Sequence, residues 1–258
     1  MSALSSLTGV RGPGMRSWLT LIGCEAKMVG RDTSGLIVPI LLPLLILVAS
    51  AGAAAGVVVE NGRTALEVFV LPLVITIVTA TIGMINMPGF LAYYRRSGIL
   101  RRLSVTPASP AMVLAAQGIV GVLQALLGIV MALIVAMTFF GAALPANPGT
   151  ALAVFALSVA ALYSVGLMIA SVAPTPNSAT AIGLVVFFIL GALGGMFGGF
   201  SALTGPLEAI GSVLPFGASV QALSAAWAGT AVAPAAVGSL ALTALLGSSV
   251  SALLFRWQ

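Results

Sequence analysis

The sequence predicts an all-α integral membrane protein with six transmembrane helices. Three observations lead to this class: 60% of the 258 residues are hydrophobic, only 6% are charged, and long apolar stretches recur between short polar turns. Soluble domains carry about 25% charged residues. A mean hydropathy of +1.21 therefore excludes an ordinary soluble fold.

The apolar stretches have the length of membrane spans. A helix needs about 20 apolar residues to cross the ~30 Å hydrocarbon core, and clusters of Pro, Asn and Gly divide the sequence into pieces of about this size. The predicted spans, all within one transmembrane domain of residues 1–258, are 36–59, 68–91, 112–140, 151–172, 179–200 and 235–255.

An amphipathic helix precedes the first span, at residues 18–31. Trp18 and Ile22 fall on one side, whereas Lys27 and Arg31 fall on the other. This pattern is typical of a helix that lies in the membrane interface with its basic side toward anionic lipid. A plain extension of the first span is the alternative.

Residues 201–233 are too long for a turn and too interrupted for another crossing. Gly205 followed by Pro206 predicts a helix start, and Pro215 ends that helix and opens a second one. Irregular backbone is not tolerated against lipid, so we expect a re-entrant hairpin that forms an outer lid. A simple interfacial anchor through Trp227 is the alternative.

The basic residues predict that both termini are cytoplasmic. With the N-terminus inside, only Arg63 lies outside, and this asymmetry is the positive-inside pattern. The residues that fall inside are Arg11, Arg16, Lys27, Arg31, Arg95, Arg96, Arg101, Arg102 and Arg256. These few charges are scattered between apolar runs, so we expect membrane lipid as the surrounding partner and no nucleic acid.

Several kinds of chemistry are disfavoured by composition. The chain has no His and a single cysteine, Cys24, and every acidic residue lies at a span boundary. Ion-coupled transporters usually keep an ionisable residue within a span. No Gly-x-x-x-x-Gly-Lys-[Ser/Thr] loop is present, so energy for any pumping must come from another subunit, and no metal or other cofactor is expected on this chain.

Three predicted spans carry helix faces made of polar or small residues, and two interpretations of these faces are possible. Small residues and amides at helical spacing are typical of helix packing, yet they also suit a weakly polar translocation path for an amphiphilic cargo. The residues concerned are Thr76, Thr79, Asn86, Gln117, Gln124, Gly191, Gly195 and Gly199.

The loop between the second and third spans, residues 93–110, holds four of the ten basic residues. Ile99, Leu100 and Leu103 interleave with Arg101 and Arg102 at helical spacing. Membrane topology explains the charge but does not require this amphipathic order, which favours docking onto a partner protein.

At this loop the chain resembles the membrane subunits of type-2 ATP-binding-cassette (ABC) exporters, the daunorubicin-resistance-like permeases. The family pattern is matched in order by Tyr94, Arg95, Gly98, Leu100, Arg101, Arg102, Leu103, Thr106, Pro107 and Pro110. A second match covers Gly194–Gly199, Pro206–Glu208, Leu214–Pro215 and Ala222–Leu223. Arg96, where many members carry an acid, and Ser224, near where they carry an Arg, depart from the pattern.

The resemblance implies a non-enzymatic permease that dimerises with a second copy or a homologue. It also implies two separate ATPase subunits that bind ATP and Mg²⁺ and dock on the loop, which would act as the coupling helix. The coupling residues implied are Tyr94, Arg95, Arg96, Arg101, Arg102, Leu103 and Thr106. Export of a drug, antibiotic or lipid-like cargo through a bacterial plasma (inner) membrane is the expected function.

Two other functions stay open at the level of sequence. One is a self-powered secondary transporter or channel, and the other is a membrane scaffold that transports nothing. An ATPase reading frame beside the gene would favour the permease.

The six-span topology predicts the sides from which two positions are labelled. With Cys24 replaced, a cysteine near Gly98 is expected to react with a membrane-impermeant thiol reagent only from the cytoplasm. A cysteine near Asn61 is expected to react only from outside. Labelling of both positions from one side would refute the six-span arrangement.

Overall fold

Helices make up almost all of the described part of the chain, and one short β-hairpin accompanies them there. The computed structural model describes residues 14–99, 110–199, 203 and 205–254. The helices are α1 (Met15–Arg31), α2 (Thr33–Ala54), α3 (Leu66–Arg96), α4 (Pro110–Phe140), α5 (Pro148–Val172), α6 (Pro176–Leu193), α7 (Pro206–Val213), α8 (Pro215–Ala228) and α9 (Pro234–Leu254). The antiparallel hairpin pairs β1 (Val58–Glu60) with β2 (Arg63–Thr64).

Proline marks the starts of helices α4 to α9, each of which has Pro as its first residue. The first helical N–H has no partner within the helix, so proline loses nothing there, and its fixed φ suits the helix. Thr175 adds a capping box with Ser178 at the start of α6. The turn clusters that divide the apolar sequence are therefore also where the helices begin.

Six helices of the described chain are long and apolar enough to cross a membrane: α2, α3, α4, α5, α6 and α9. The pair α7 and α8 is bent by 79° and passes the same test only if it is counted as one broken span or re-entrant loop. The prediction of an all-α integral membrane protein with six spans is confirmed. The cytoplasmic location of the termini stays a prediction.

Helix α3 lies at the centre and packs against α2, α4, α5, α6 and α8. Two of its segments, Leu66–Val70 and Thr81–Asn86, are π-helical. At the second segment a Cβ on Gly166 of α5 would lie 1.8 Å from the Gly83 carbonyl oxygen, and one on Gly183 of α6 would lie 2.2 Å from the Met84 carbonyl oxygen. Two neighbouring helices therefore approach the backbone of α3 through glycine.

The first span is shorter than predicted, because α2 ends at Ala54 rather than at residue 59. Val58–Glu60 instead pairs with Arg63–Thr64 across the Asn61-Gly62 turn. Both turn residues have positive φ, 48° and 75°, as a two-residue type I′ turn requires. The Asn-Gly pair was visible in the sequence as a turn, but not as the turn of a hairpin.

The second span is longer than the predicted 68–91, since α3 runs from Leu66 to Arg96. Tyr93, Tyr94, Arg95 and Arg96, which the sequence placed in the loop 93–110, form the last turn of the helix. The remainder of that loop, including Arg101, Arg102, Leu103 and Thr106, lies outside the described residues.

The fifth span ends at Leu193 rather than at residue 200, which corrects the predicted glycine face. Gly195, Gly198 and Gly199 all have positive φ and follow the helix as a turn. Positive φ is accessible to glycine without steric cost. Gly195 and Gly199 therefore do not share a helical face with Gly191.

The predicted helix starts at Pro206 and Pro215 are confirmed, and α8 is buried within the protein. Phe216, Leu223 and Trp227 are each no more than 3% exposed. Helix α8 packs on α3, α5 and α9, whereas Leu207 and Ile210 of α7 are about half exposed. The lid role assigned to residues 201–233 stays a prediction.

At one end of the bundle, here called the hairpin end, polar contacts connect separate segments of the chain. The buried Glu67 carboxylate accepts hydrogen bonds from the N–H groups of Ala143 (2.6 Å) and Thr64 (3.1 Å), and lies 3.8 Å from the Arg63 guanidinium. The Asn61 amide donates to the Ala228 carbonyl at 2.9 Å. These bonds connect the β-hairpin to α8 and to the α4–α5 loop.

Gly166→Ala is expected to destabilise the bundle by about 1–3 kcal/mol, because the added methyl group would overlap the Gly83 carbonyl and force α5 away from α3. Gly118→Ala is the matched control, since a Cβ there meets nothing within 4 Å. Thermal unfolding of the purified variants measures the difference. Equal unfolding midpoints for the two variants would contradict this account of the α3–α5 contact.

Candidate functional site

The end of the bundle opposite the hairpin end, here called the basic end, is built from three pieces of chain. They are α1, the last turn of α3, and the α5–α6 connection around Ala173. Arg16, Lys27, Arg31 and Arg96 are exposed there. The loop that resembles a coupling helix begins directly after this last turn of α3.

Arg95 connects the end of α3 to the end of α5 by hydrogen bonds. Its guanidinium donates from Nη1 to the Ala170 carbonyl at 3.2 Å and from Nη2 to the Ala173 carbonyl. The last carbonyls of a helix lack intrahelical donors, and a cation beside them also complements the helix dipole. Arg95 is therefore bound within the protein, whereas the neighbouring Arg96 is exposed.

Tyr94 connects the same turn of α3 to α1 by a hydrogen bond. Its hydroxyl donates to Glu25 Oε2 at 2.6 Å and also lies 3.2 Å from the Met28 sulfur. Glu25 and Tyr94 are only 4% and 5% exposed. Burial raises the pKa of the Glu25 carboxyl above its ordinary value of 4.5, and the hydrogen bond from Tyr94 opposes part of that rise.

Glu25 is a residue that the sequence analysis missed, because it assigned the apolar side of α1, with Trp18 and Ile22, to the membrane interface and considered no packing of α1 on the bundle. The side of α1 that is buried against the bundle includes Glu25 and Val29, whereas Leu19 is 62% exposed. Glu25 stands three residues after Ile22 and four before Val29, so helical spacing puts it beside the apolar residues. That spacing was the available signal.

Asn86 and Gln124 meet at one backbone carbonyl. The side-chain amides of Asn86, in α3, and Gln124, in α4, donate to the Gly35 carbonyl of α2 at 2.7 and 2.6 Å. The helical partner of that carbonyl would be the N–H of residue 39, which is proline and has none. The two amides therefore satisfy an acceptor that Pro39 leaves open, and they connect three spans.

The two threonines proposed for a path or for packing bond to their own helix. Thr76 Oγ1 donates to the Pro72 carbonyl and Thr79 Oγ1 to the Ile75 carbonyl, both at 2.8 Å. Each side chain is 1% exposed. Both side chains are buried where α3 packs against neighbouring helices. Neither of them lines one of the two clefts described below, and neither reaches solvent.

Gln117 lies one helical turn before Gly121, where α4 passes Tyr163 of α5. A Cβ on Gly121 would lie 3.0 Å from the Tyr163 hydroxyl. Among the described residues, the buried Gln117 Oε1 and Tyr163 hydroxyl have no hydrogen-bond partner. Buried polar atoms without a hydrogen-bond partner mark a place where water or another polar group is accommodated.

Two clefts open on the side of the bundle formed by α2, α3 and α6. The first, about 550 Å³, lies at the basic end and includes Asp32, Asn86 and Asn177. The second, about 450 Å³, lies toward the hairpin end and is lined by the glycine turn and by Phe69 and Val220. Gly195 and Gly199 line this second cleft, whereas Gly191 packs against Met196.

Within the described residues, no three His, Cys, Asp or Glu side chains are grouped as metal ligands. The basic end provides hydrogen bonds between helices, and the two clefts provide volumes of about 550 and 450 Å³ beside them.

The family model described as "ABC-2 type transporter" matches residues 16–227. The chain belongs to the ABC-2 type transporter family. The match extends from α1 through α8, so it includes the basic end and both clefts. No curated protein matches the sequence.

Family membership confirms the resemblance on which the coupling residues were predicted. The protein is the membrane-spanning permease component of an ABC transporter and a multi-pass membrane protein. Membership of this family implies association with an ATP-binding-cassette subunit. Components of this kind are in general not catalytic. Among the predicted coupling residues, Tyr94 and Arg95 make contacts within the chain, and Arg96 is exposed.

Glu25→Gln is expected to flatten the pH dependence of stability. Because the pKa of Glu25 is raised in the folded protein, the folded state binds the proton more tightly than the unfolded state. The free energy of unfolding therefore falls as pH rises from 4.5 through the folded-state pKa. Gln cannot titrate, so this fall is absent in the variant.

Thermal unfolding of the purified permease between pH 4.5 and neutral pH measures the effect. Glu60→Gln, an exposed acid at the hairpin end, is the matched control and is expected to keep the wild-type slope. An unchanged slope in Glu25→Gln would show that this carboxyl does not titrate differently on folding.

Proposed function

We propose that this ABC-2 permease exports an amphiphilic or hydrophobic cargo, such as a drug, an antibiotic or a lipid-like molecule. Two permease chains and two ATPase subunits form the working complex in a bacterial plasma membrane. The ATPase subunits bind ATP and Mg²⁺, and the permease itself carries no cofactor. The N- and C-termini and the basic end face the cytoplasm.

The observation that carries the proposal is the fixed connection at the basic end. Two adjacent residues at the end of α3, Tyr94 and Arg95, hold α1 and α5. A force applied to residues 97–109 by a docked ATPase is therefore passed to two other helices as well as to α3. A loop that served only as a topology signal would not need these bonds.

The uncharged interior supports the choice of cargo. No Asp, Glu, Lys or Arg occurs between Leu103 and Leu207, so no ion-coupling carboxylate is available in spans three to five. An apolar or amphiphilic molecule crosses such a region at lower cost than a hydrated ion. The two clefts lie on one side of the bundle, at opposite ends of α2, α3 and α6, where a cargo would enter and leave.

The double variant Arg101→Glu/Arg102→Glu is expected to lose most co-purification with the proposed ATPase subunit. Reversed charges at a partly desolvated interface cost several kcal/mol, while the permease still inserts because other basic residues keep its topology. Co-purification through a tag on the permease, followed by transport in inverted vesicles, measures the two effects.

Arg16→Glu/Lys27→Glu is the matched control, because it reverses the same number of charges on the exposed side of α1. This control is expected to retain the ATPase. Undiminished transport in the loop variant, or equal loss of the ATPase in both variants, would show that the loop is not the docking element.

A further inference from the structure

The cleft at the basic end has the size and the mixed lining of a small-molecule site. Its volume of about 550 Å³ falls within the range of about 300–1,000 Å³ that is usual for such sites. One part of the lining is apolar, with Val38, Ile85 and Leu184. The other part carries polar groups, which include Asp32 and Asn177.

Among the described residues that line this cleft, Asp32 is the one with an acidic or basic side chain. Its Oδ1 accepts hydrogen bonds from the Ser34 hydroxyl at 2.8 Å and from the Gly35 N–H at 3.1 Å. In the described part of the chain, no Lys or Arg lies within ion-pair distance of it. Within the described residues, the cleft therefore holds a carboxylate that is oriented by hydrogen bonds and has no Lys or Arg partner.

The position of Asp32 between two helices fixes the direction of that carboxylate. Asp32 is both the last cap of α1, through its N–H to the Met28 and Val29 carbonyls, and the N-cap of α2. The positive end of the α2 dipole favours a negative side chain at this place. Its direction is set by two helices rather than by a mobile loop.

Two aromatic rings, Phe90 and Tyr93, line the same cleft. Aromatic faces attract organic cations as well as apolar groups. A carboxylate, two aromatic rings and an aliphatic wall match a cation whose charge is attached to a large apolar body. An anionic lipid headgroup would instead meet the Asp32 carboxylate, which repels it.

We propose that this cleft is a binding site for lipophilic organic cations, with Asp32 as the charge partner. The assignment of such cations as cargo rests on the proposed exporter function, whereas their binding to the cleft does not. Asp32 attracts the charged centre, and Val38, Ile85 and Leu184 contact the apolar body. The permease would then select against anionic molecules of the same shape.

The test is equilibrium binding of tetraphenylphosphonium to the full-length permease in phosphatidylcholine nanodiscs. Tetraphenylborate, nearly the same in shape and opposite in charge, is the comparison ligand, and empty nanodiscs correct for partition into lipid. Asp32→Asn is expected to weaken phosphonium binding about tenfold or more. Asn is as good an N-cap as Asp, so the variant keeps the start of α2.

Glu208→Gln is the control, because it removes one negative charge at α7, away from the cleft. It is expected to bind tetraphenylphosphonium as the wild type does, and Asp32→Glu is expected to restore part of the affinity that Asp32→Asn loses. Equal affinity of wild type and Asp32→Asn, or binding of tetraphenylborate as tight as that of the cation, would overturn the proposal.

A second copy of the chain is the competing occupant of the cleft. With Cys24 replaced by Ser, a cysteine at position 177 would form a disulfide between two copies if the clefts face each other in close contact, and efficient cross-linking would overturn the proposal. The binding assay contains no ATPase. Failure of the proposed exporter function, seen as no ATPase association, is therefore distinguishable from failure of the cation site.

Discussion

Within a bilayer, a backbone carbonyl that loses its helical donor must find another one, because no water is present to replace it. Pro39 creates this situation at Gly35, near the start of the first span. The amides of Asn86 and Gln124 reach the Gly35 carbonyl from two other helices. The positions of α2, α3 and α4 relative to one another, and with them the wall of the basic-end cleft that contains Asn86, depend on this one acceptor.

The basic end adds a second set of connections close to the first. Asp32 joins α1 to α2, Tyr94 joins α3 to α1, and Arg95 joins α3 to α5. All three residues occupy helix ends, where backbone groups lack intrahelical partners. Asp32 and Arg95 satisfy such backbone groups, whereas Tyr94 bonds to the Glu25 side chain. Helix α1 is therefore connected to the bundle by these bonds in addition to its apolar contacts.

Sequence patterns were sufficient for the number of spans and for most helix starts, because proline and apolar length act locally. They were insufficient for Glu25, whose burial depends on which side of α1 faces Tyr94, and tertiary packing decides this. The glycines after Leu193 were misread for a related reason. Four-residue spacing is shared by a packed helical face and by a turn in which φ is positive, and the spacing alone does not separate the two.

The candidate site was predictable only in part. Asn86 and Gln124 were recognised as polar residues of spans, but the carbonyl that joins them is located by Pro39 in a third helix. Tyr94 and Arg95 were recognised through the family resemblance, which gave no indication that both bond inside the chain. Asp32 was recorded only as a boundary acid, since its cleft is formed by helices that are distant in sequence.

The lengths of two adjacent helices have a consequence for the surrounding lipid. Helix α3, with 31 residues, is about 46 Å long, whereas α6, with 18 residues, spans only about 27 Å. A span shorter than the ~30 Å hydrocarbon core is accommodated by local thinning of the bilayer, by snorkelling of flanking side chains or by oligomerisation. Among the six span-length helices of the described chain α6 is the shortest, so bilayer thickness becomes a variable that acts on this side of the bundle more than on the others.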